Sequence, residues 1–595
     1  MKELTGFASI DRPWLKYYPE EVVYTKVPEM SIFQLLKESN QSRLNNPAIR
    51  YYDFVISYKK YLKNIENSAK SLQELGTTKN EIVLLSLPNI PECRTLIYAL
   101  NILGSIAYPT SPMMPSNILE NIINENEVQT IFMFEGFYQK YAKILEKNHY
   151  LKNIVVLDGT ESIPTLFVEM KKWKDKLSNK TQQSLSIFNP KNIFWKEFAS
   201  FKQYHSNAIL PFYEPNHTAA IIGTSGTTGT PKGVCLTNEN LNAMAIQHLI
   251  GDMNFQPKDR LLDILIQSIG YGIAVAHYSG VCGLESILVP ELVTNILPYL
   301  RKYKPSHFTG GPVHYENLVK QCEKESCKPP VAKNMVSGGA TLEKIIEKKL
   351  NQVDEAYVEV DNDGKVFVRQ GFGCTENGGA ATYAKKGAYK FGGLGIPLAL
   401  ENMGIFKPGT DEELPYGIEG EICISGPTVM KEYFHNPSET ERVLKKHKDG
   451  TIWLHTYDLG KVDEDGQFYI TDRMKDIFMR KGFNVHPSKI GEFLLTLPNV
   501  SSCKVVGVSH PEEQTVPVAF IELKDVSNLN QEKEFIMNKC YENLEEPSIP
   551  YEIIFVDKMP RNLGGKIDSN YLLEICNIDY QSKKAKTYSF VKVNR

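Results

Sequence analysis

A run of hydroxyls and glycines set between two apolar segments constrains this chain more than any other feature. Thr218-Ala-Ala-Ile-Ile-Gly223 has the character of a short buried strand, and Thr224-Ser225-Gly226-Thr227-Thr228-Gly229-Thr230-Pro231-Lys232-Gly233 follows it directly. Gly226, Gly229 and Gly233 permit positive φ and close backbone approach, so successive N–H groups can face an anion. The hydroxyls add donors, and Lys232 adds a mobile positive charge. Val234-Cys-Leu-Thr then gives way to Asn238-Glu-Asn-Leu-Asn-Ala-Met-Ala, which reads as a capped helix. This is the setting of a phosphate site. It is not a Walker A motif, because Lys232 follows proline and precedes glycine, and Gly393 with Gly395 completes no Gly-x-Gly-x-x-Gly fingerprint.

Helical periodicity over Tyr58 to Leu75 alternates with apolar runs such as Ile82-Val-Leu-Leu-Ser and Thr130-Ile-Phe-Met-Phe, which predicts an α/β fold with parallel strands. With 595 residues, 42% of them hydrophobic, more than one core is expected. The predicted boundary lies near Asp472. It separates a large N-terminal domain of several α/β subdomains (1–472) from a small mobile α/β domain (473–595) with strands at Ser502–Val508, Val516–Leu523 and Tyr551–Val556. Residues 158–206 are lysine-rich without clear period and read as a surface excursion. Leu261 to Val289 is strongly apolar, but Asp263, Gln267, His277 and Glu285 interrupt it, so a buried strand and helix is expected rather than a membrane span. A net charge of -3 gives no reason to expect a nucleic-acid partner. Ten cysteines without a Cys-x-x-Cys pair, and no apolar run of signal-peptide length at the start, point to a reducing cytoplasm and no integral membrane association.

Further motifs follow in a fixed order. They are Ser337-Gly338-Gly339-Ala340, Gly371-Phe372-Gly373-Cys374-Thr375-Glu376, Gly420-Glu421-Ile422-Cys423-Ile424-Ser425-Gly426, Thr456-Tyr457-Asp458-Leu459-Gly460, Asp472-Arg473-Met474-Lys475-Asp476 and Pro560-Arg561-Asn562-Leu563-Gly564-Gly565-Lys566. Together with the loop they resemble the AMP-forming adenylate-forming superfamily, which includes acyl-CoA synthetases, nonribosomal adenylation domains and beetle luciferases. The chain is most similar to a stand-alone acyl-CoA synthetase.

The resemblance implies ATP and Mg²⁺ as cofactors and assigns the residues. Thr224, Ser225, Gly226, Thr227, Thr228, Gly229 and Lys232 would hold the phosphates, and Gly338, Gly339 and Ala340 would lie on the adenine side, with Phe372 stacking on adenine and Gly373 among the nucleotide-binding positions. Thr375 would contact the α-phosphate and Glu376 the metal, since a hard cation prefers oxygen ligands. Asp458 would accept the ribose hydroxyls with help from Arg473, Lys475 would be the hinge, and Lys566 would bridge carboxylate and α-phosphate. Lys566, Lys232 and Glu376 are the catalytic candidates.

The expected reaction makes an acyl-adenylate from a small carboxylic acid, fatty or aryl, releases pyrophosphate, and passes the acyl group to CoA. The alternatives are the phosphopantetheine thiol of a separate carrier protein, or a nucleotide-binding regulator without turnover. Ser268, Gly270, Tyr271 and Gly272 fall where the family builds its acid pocket. Gly270 stands where amino-acid-activating members carry an ammonium-binding aspartate, so an acid without an α-amino group is expected. Gly270, Gly272 and Gly280 also suggest side-chain volume left empty for a bulky acid, with close helix packing as the other reading.

Overall fold

A computed structural model describes residues 4–164, 191–204, 207–224, 231–251, 255–291, 293–330, 332–350, 368–385, 387–561, 566–576, 590–591 and 593. Contacts gather them into two compact units, Arg12–Asn402 with Ile424–Leu454 and Met1–Asp11 with Met403–Cys423 and His455–Arg595. The expected boundary near Asp472 falls inside the second unit, at the turn between that unit's two sheets.

The larger unit has two sheets among the described residues. In the first, Ile82–Ser86 lies between Ile106–Thr110 and Thr130–Phe134, and Asn153–Leu157 follows, all parallel. Thr218–Thr224 extends this sheet in parallel, and Lys232–Thr237 returns antiparallel beside it, pairing Thr224 with Lys232. These strands are nearly continuous apolar runs because helices cover parallel sheets on both faces. Leu84, Ile131, Ile154 and Ile221 fill one core between them. The second sheet aligns Glu285–Leu288, Arg260–Asp263, His307–Gly310, Asn334–Ser337 and Arg369–Phe372 in parallel. Leu261 to Val289 accordingly folds as strand, helix (Gly270–Val281) and strand. The helix Asn238–Ile250 begins where the sequence placed it. Thr237 caps it by accepting from the Asn240 N–H, and the Asn240 side chain reciprocates.

One expectation needs correction. The described part of the 158–206 segment is built into the sheet: Asn192–Phe194 is an edge strand, and Trp195–Ser200 a helix whose Phe198 is fully buried against Phe132. Its aromatic residues, not a period, carry the packing. Residues 165–190 and 205–206 lie outside the described residues.

In the smaller unit the strands Gly420–Ser425, Ile452–Val462 and Phe468–Arg473 form one sheet. Val500–His510, Gln514–Leu523 and Glu552–Val556 form the centre of the other, close to the three predicted strands. No helix among the described residues is long and apolar enough to cross a membrane.

A buried acid pair in the larger unit gives a pH test. Burial pushes the Glu92 carboxyl up to about 7, helped by the charge of Asp158, and the Glu161 carboxyl up to about 8, helped by the charge of Glu92. A carboxyl raised above its ordinary value of 4.5 adds stability that is fully present below that value and is lost as pH rises through about 7. The melting temperature of the native chain is expected to fall between about pH 5 and about pH 8, and that of Glu92→Gln to fall less. An equally steep fall in Glu92→Gln would remove Glu92 from the cause.

Candidate active site

The antiparallel return at the end of Thr218–Thr224 brings Lys232 to the rim of the larger unit's first sheet. Its ammonium pairs with Glu439, which also accepts from Arg442 at 2.9 Å, and lies 5.1 Å from the centre of the Tyr433 ring. The hydrogen bond from Lys232 holds the Glu439 carboxyl below the ordinary range. Glu439 is fixed in turn because Asn436 caps its helix by accepting from the Glu439 N–H. The Tyr433 hydroxyl donates to Glu376 Oε1 at 2.7 Å, and the Glu376 carbonyl accepts from the Met430 N–H. One aromatic side chain therefore touches both the loop lysine and the expected metal carboxylate. With Oε1 taken, Oε2 of the half-buried Glu376 is left to a cation among the described residues, which fits a hard divalent ion. Ser225, Gly226, Thr227, Thr228 and Gly229 lie outside the described residues, whereas Thr224 is described and donates to the Lys232 carbonyl at 3.4 Å.

A cavity opens beside this cluster. Gly338, Gly339, Phe372, Gly373 and Tyr271 line it, so three motifs far apart in the chain meet there. His248 and Tyr278 complete a wall, stacked at 4.2 Å and 3°. Burial lowers the His248 imidazole to about 4, so it is neutral at ordinary pH, and Nδ1 lies 2.8 Å from the Met244 carbonyl oxygen. Among the described residues, none that lines the cavity carries a carboxylate, ammonium or guanidinium. Ala340 lies just beyond the cavity-lining glycines, exposed.

The expectation that glycines empty the acid pocket is overturned. A Cβ on Gly270 would lie 2.8 Å from Thr375 Cα, one on Gly272 would strike the Ile266 carbonyl, and one on Gly280 would lie 2.8 Å from Leu36 Cδ1. The space is already filled by neighbours, so these glycines let the helix Gly270–Val281 pack closely. Of the four pocket candidates only Tyr271 lines the cavity, and Ser268 sits in the turn before the helix.

In the smaller unit, Asp458 stands directly opposite Arg473 in the strand pair, and Arg473 Nε meets Asp458 Oδ1 at 2.8 Å. Burial raises the Asp458 carboxyl above the ordinary range, while Arg473, Lys566 and Lys475 pull it back, in that order. These four predicted residues thus form one electrostatic group. Lys566 is half-buried in a loop closed by the bridge between Arg561 and Ile567; Asn562–Gly565 lie outside the described residues. Lys475 is exposed in the turn after Arg473, where the Asp476 N–H donates to the Arg473 carbonyl at 2.9 Å.

Sequence reasoning missed Tyr433, Glu439, His248 and Tyr278, which lie in no quoted motif. It quoted Glu421 only as part of a strand, yet that carboxylate accepts from the Tyr457 N–H at 3.1 Å and lies 2.9 Å from His455 Nδ1.

A family model described as AMP-binding enzyme matches residues 36–434, and one described as AMP-binding enzyme C-terminal domain matches 489–566. The chain is 29% identical over 577 residues to a long-chain-fatty-acid–CoA ligase of Bacillus subtilis (strain 168), covering 95% of this chain and 98% of that one. It is 26% identical over 528 residues to 4-coumarate–CoA ligase 4 of Arabidopsis thaliana, covering 86% and 85%. Its fold is similar to that of o-succinylbenzoate CoA synthetase from Bacillus subtilis, solved with an acyl-adenylate intermediate. The TM-score is 0.68 at 20% identity, over 90% of this chain and 97% of that one.

The packing of Gly270 is open to test. Gly270→Ala is expected to destabilise the protein by about 1–3 kcal/mol in chemical denaturation, because its Cβ must displace the backbone at Thr375. Unchanged stability with tolerance narrowed to smaller acids would restore the empty-pocket reading.

Proposed function

This chain belongs to the AMP-binding enzyme family, and we propose that it is an acid–thiol ligase activating an uncharged fatty or aryl carboxylic acid. The observation that carries the substrate class is the cavity wall formed by Tyr271 and the neutral His248–Tyr278 stack, without a charged lining residue among the described residues. An α-ammonium there would be buried without a partner, which costs several kcal/mol. The naming of the matched relatives as CoA ligases supports CoA as the acceptor over a carrier protein.

A carboxylate is a poor electrophile because its leaving group would be oxide. In the first half-reaction a carboxylate oxygen attacks the α-phosphorus of ATP, the bond to the β-phosphate oxygen breaks, and pyrophosphate leaves. In the second, the CoA thiolate attacks the acyl carbon and AMP departs with the former carboxylate oxygen. The first step brings anions together, so positioned cations and donors matter more than a base. Lys232 exchanges Glu439 for phosphate oxygens, and Thr375 donates to the α-phosphate. Glu376, steadied by Tyr433, would hold Mg²⁺, which when bound supplies positive charge to the phosphates. Phe372 stacks on adenine. Asp458, with Arg473 beside it, accepts the ribose hydroxyls through its two oxygens. Lys566 meets the charge where carboxylate and α-phosphate join. Lys475, at the proposed 472/473 boundary, is the hinge between half-reactions.

Pyrophosphate release over a panel of fatty, benzoic, cinnamic and amino acids, with and without CoA, tests this reading. Release is expected with uncharged acids; release strongest with free α-amino acids would contradict it. Lys566→Ala is expected to slow adenylation at least a hundredfold, the loss of about 3 to 4 kcal/mol, while thioester formation from supplied acyl-adenylate continues. Near-native adenylation by that variant would remove Lys566 from the site. Lys475→Pro, which fixes φ near about -65°, is expected to spare adenylation and slow thioester formation, and equal slowing of both would exclude the hinge.

A further inference from the structure

We propose that Glu421 is a positioning residue for nucleotide ribose: its carboxylate pins Tyr457 in a left-handed turn and thereby aims Asp458. The inference rests on the reading of Asp458 as the ribose acceptor.

Tyr457 has φ +59°, a conformation that a residue with a bulky side chain rarely adopts. A glycine would hold this turn without help. Tyrosine needs the surroundings to over-determine it. They do so from the neighbouring strand. The Tyr457 N–H donates to Glu421 Oε1 at 3.1 Å. The Thr456 hydroxyl donates to the Ile422 carbonyl at 2.7 Å and accepts from the Asp458 N–H at 3.2 Å. Each residue of the turn is thus tied, directly or through Thr456, to the strand Gly420–Ser425.

Glu421 can act as an anchor because its own carboxylate is fixed. Oε2 lies 2.9 Å from His455 Nδ1, and both side chains are almost fully buried. The Gly409 N–H also approaches Oε2, at 3.4 Å. Cys423 Sγ lies 3.5 Å from the same histidine nitrogen. Glu421, Cys423 and His455 could in principle ligate a metal, since their donor atoms gather within 4.8 Å. One feature favours the hydrogen-bonded brace: each carboxylate oxygen faces a backbone N–H, that of Tyr457 or that of Gly409, which no metal can replace. The consequence is specific. Loss of the brace lets the turn relax and moves Asp458 away from the two ribose hydroxyls.

The full-length protein is assayed for acid-dependent pyrophosphate release with ATP and with 2′,3′-dideoxy-ATP. Glu421→Ala is expected to raise KM for ATP about tenfold, the worth of one charged hydrogen bond, and to leave KM for the dideoxy nucleotide unchanged. Adding Tyr457→Gly to that variant is expected to restore the ATP value, because glycine adopts the turn unaided. Asp458→Ala tests the underlying reading by itself: it should abolish the preference for ATP, and a retained preference would sink the ribose assignment whatever Glu421 does. Equal losses with both nucleotides in Glu421→Ala, no loss with either, or failure of the Tyr457→Gly rescue would overturn the brace. Should Glu421→Ala not fold, Glu421→Gln keeps one acceptor oxygen and should give a smaller, still ribose-dependent loss. A divalent ion retained at one per native chain and released by either variant would also overturn it and make the cluster a metal site.

Discussion

A charge held partly or fully out of water on a strand needs a counter-charge, and much of this architecture follows from where the counter-charges come from. Asp458 is desolvated by its sheet, and its carboxyl rises accordingly. It is kept useful as an anion by Arg473, which strand pairing sets directly opposite, and by Lys566 and Lys475. Lys232 meets the same problem in the larger unit, and there Glu439 and the face of Tyr433 answer it. Each arrangement leaves a charge with a partner that a ligand can replace.

The two strand pairs do this work because register is a hard constraint. A slip of one residue in Ile452–Val462 against Phe468–Arg473 would turn Asp458 to the opposite face and separate it from Arg473. A slip between Thr218–Thr224 and Lys232–Thr237 would do the same to Lys232. Buried apolar side chains such as Ile221 and Val234 hold the second pair in place, so hydrophobic packing, not the polar residues, sets where the charges stand.

The parts of this design written locally were legible from residues alone. The strand Thr218–Thr224, the capped helix after Thr237 and the strands near 500–556 follow from period and capping chemistry. What could not be read were relations across the chain. Glycine in a sequence looks the same whether it opens a pocket or lets a helix approach, and only the contact between Gly270 and Thr375, 105 positions apart, decides for packing. Tyr433 and Glu376 are 57 residues apart, and Glu421 and His455 34, so no window contains either pair. Tyr457 was visible only as a member of its motif, and its left-handed backbone and its support from Glu421 were not. The 191–204 segment was misjudged because a buried Phe198 has no periodic signature in so short a helix.

The central claim is that the acid's own oxygen attacks the α-phosphorus, and isotope transfer reads that bond directly. With an accepted acid labelled with ¹⁸O in its carboxylate, plus ATP and CoA, the account predicts AMP carrying one ¹⁸O per turnover, because the bridging oxygen stays with phosphorus when the thiolate displaces AMP. Unlabelled AMP, or ADP as the nucleotide product, would contradict it.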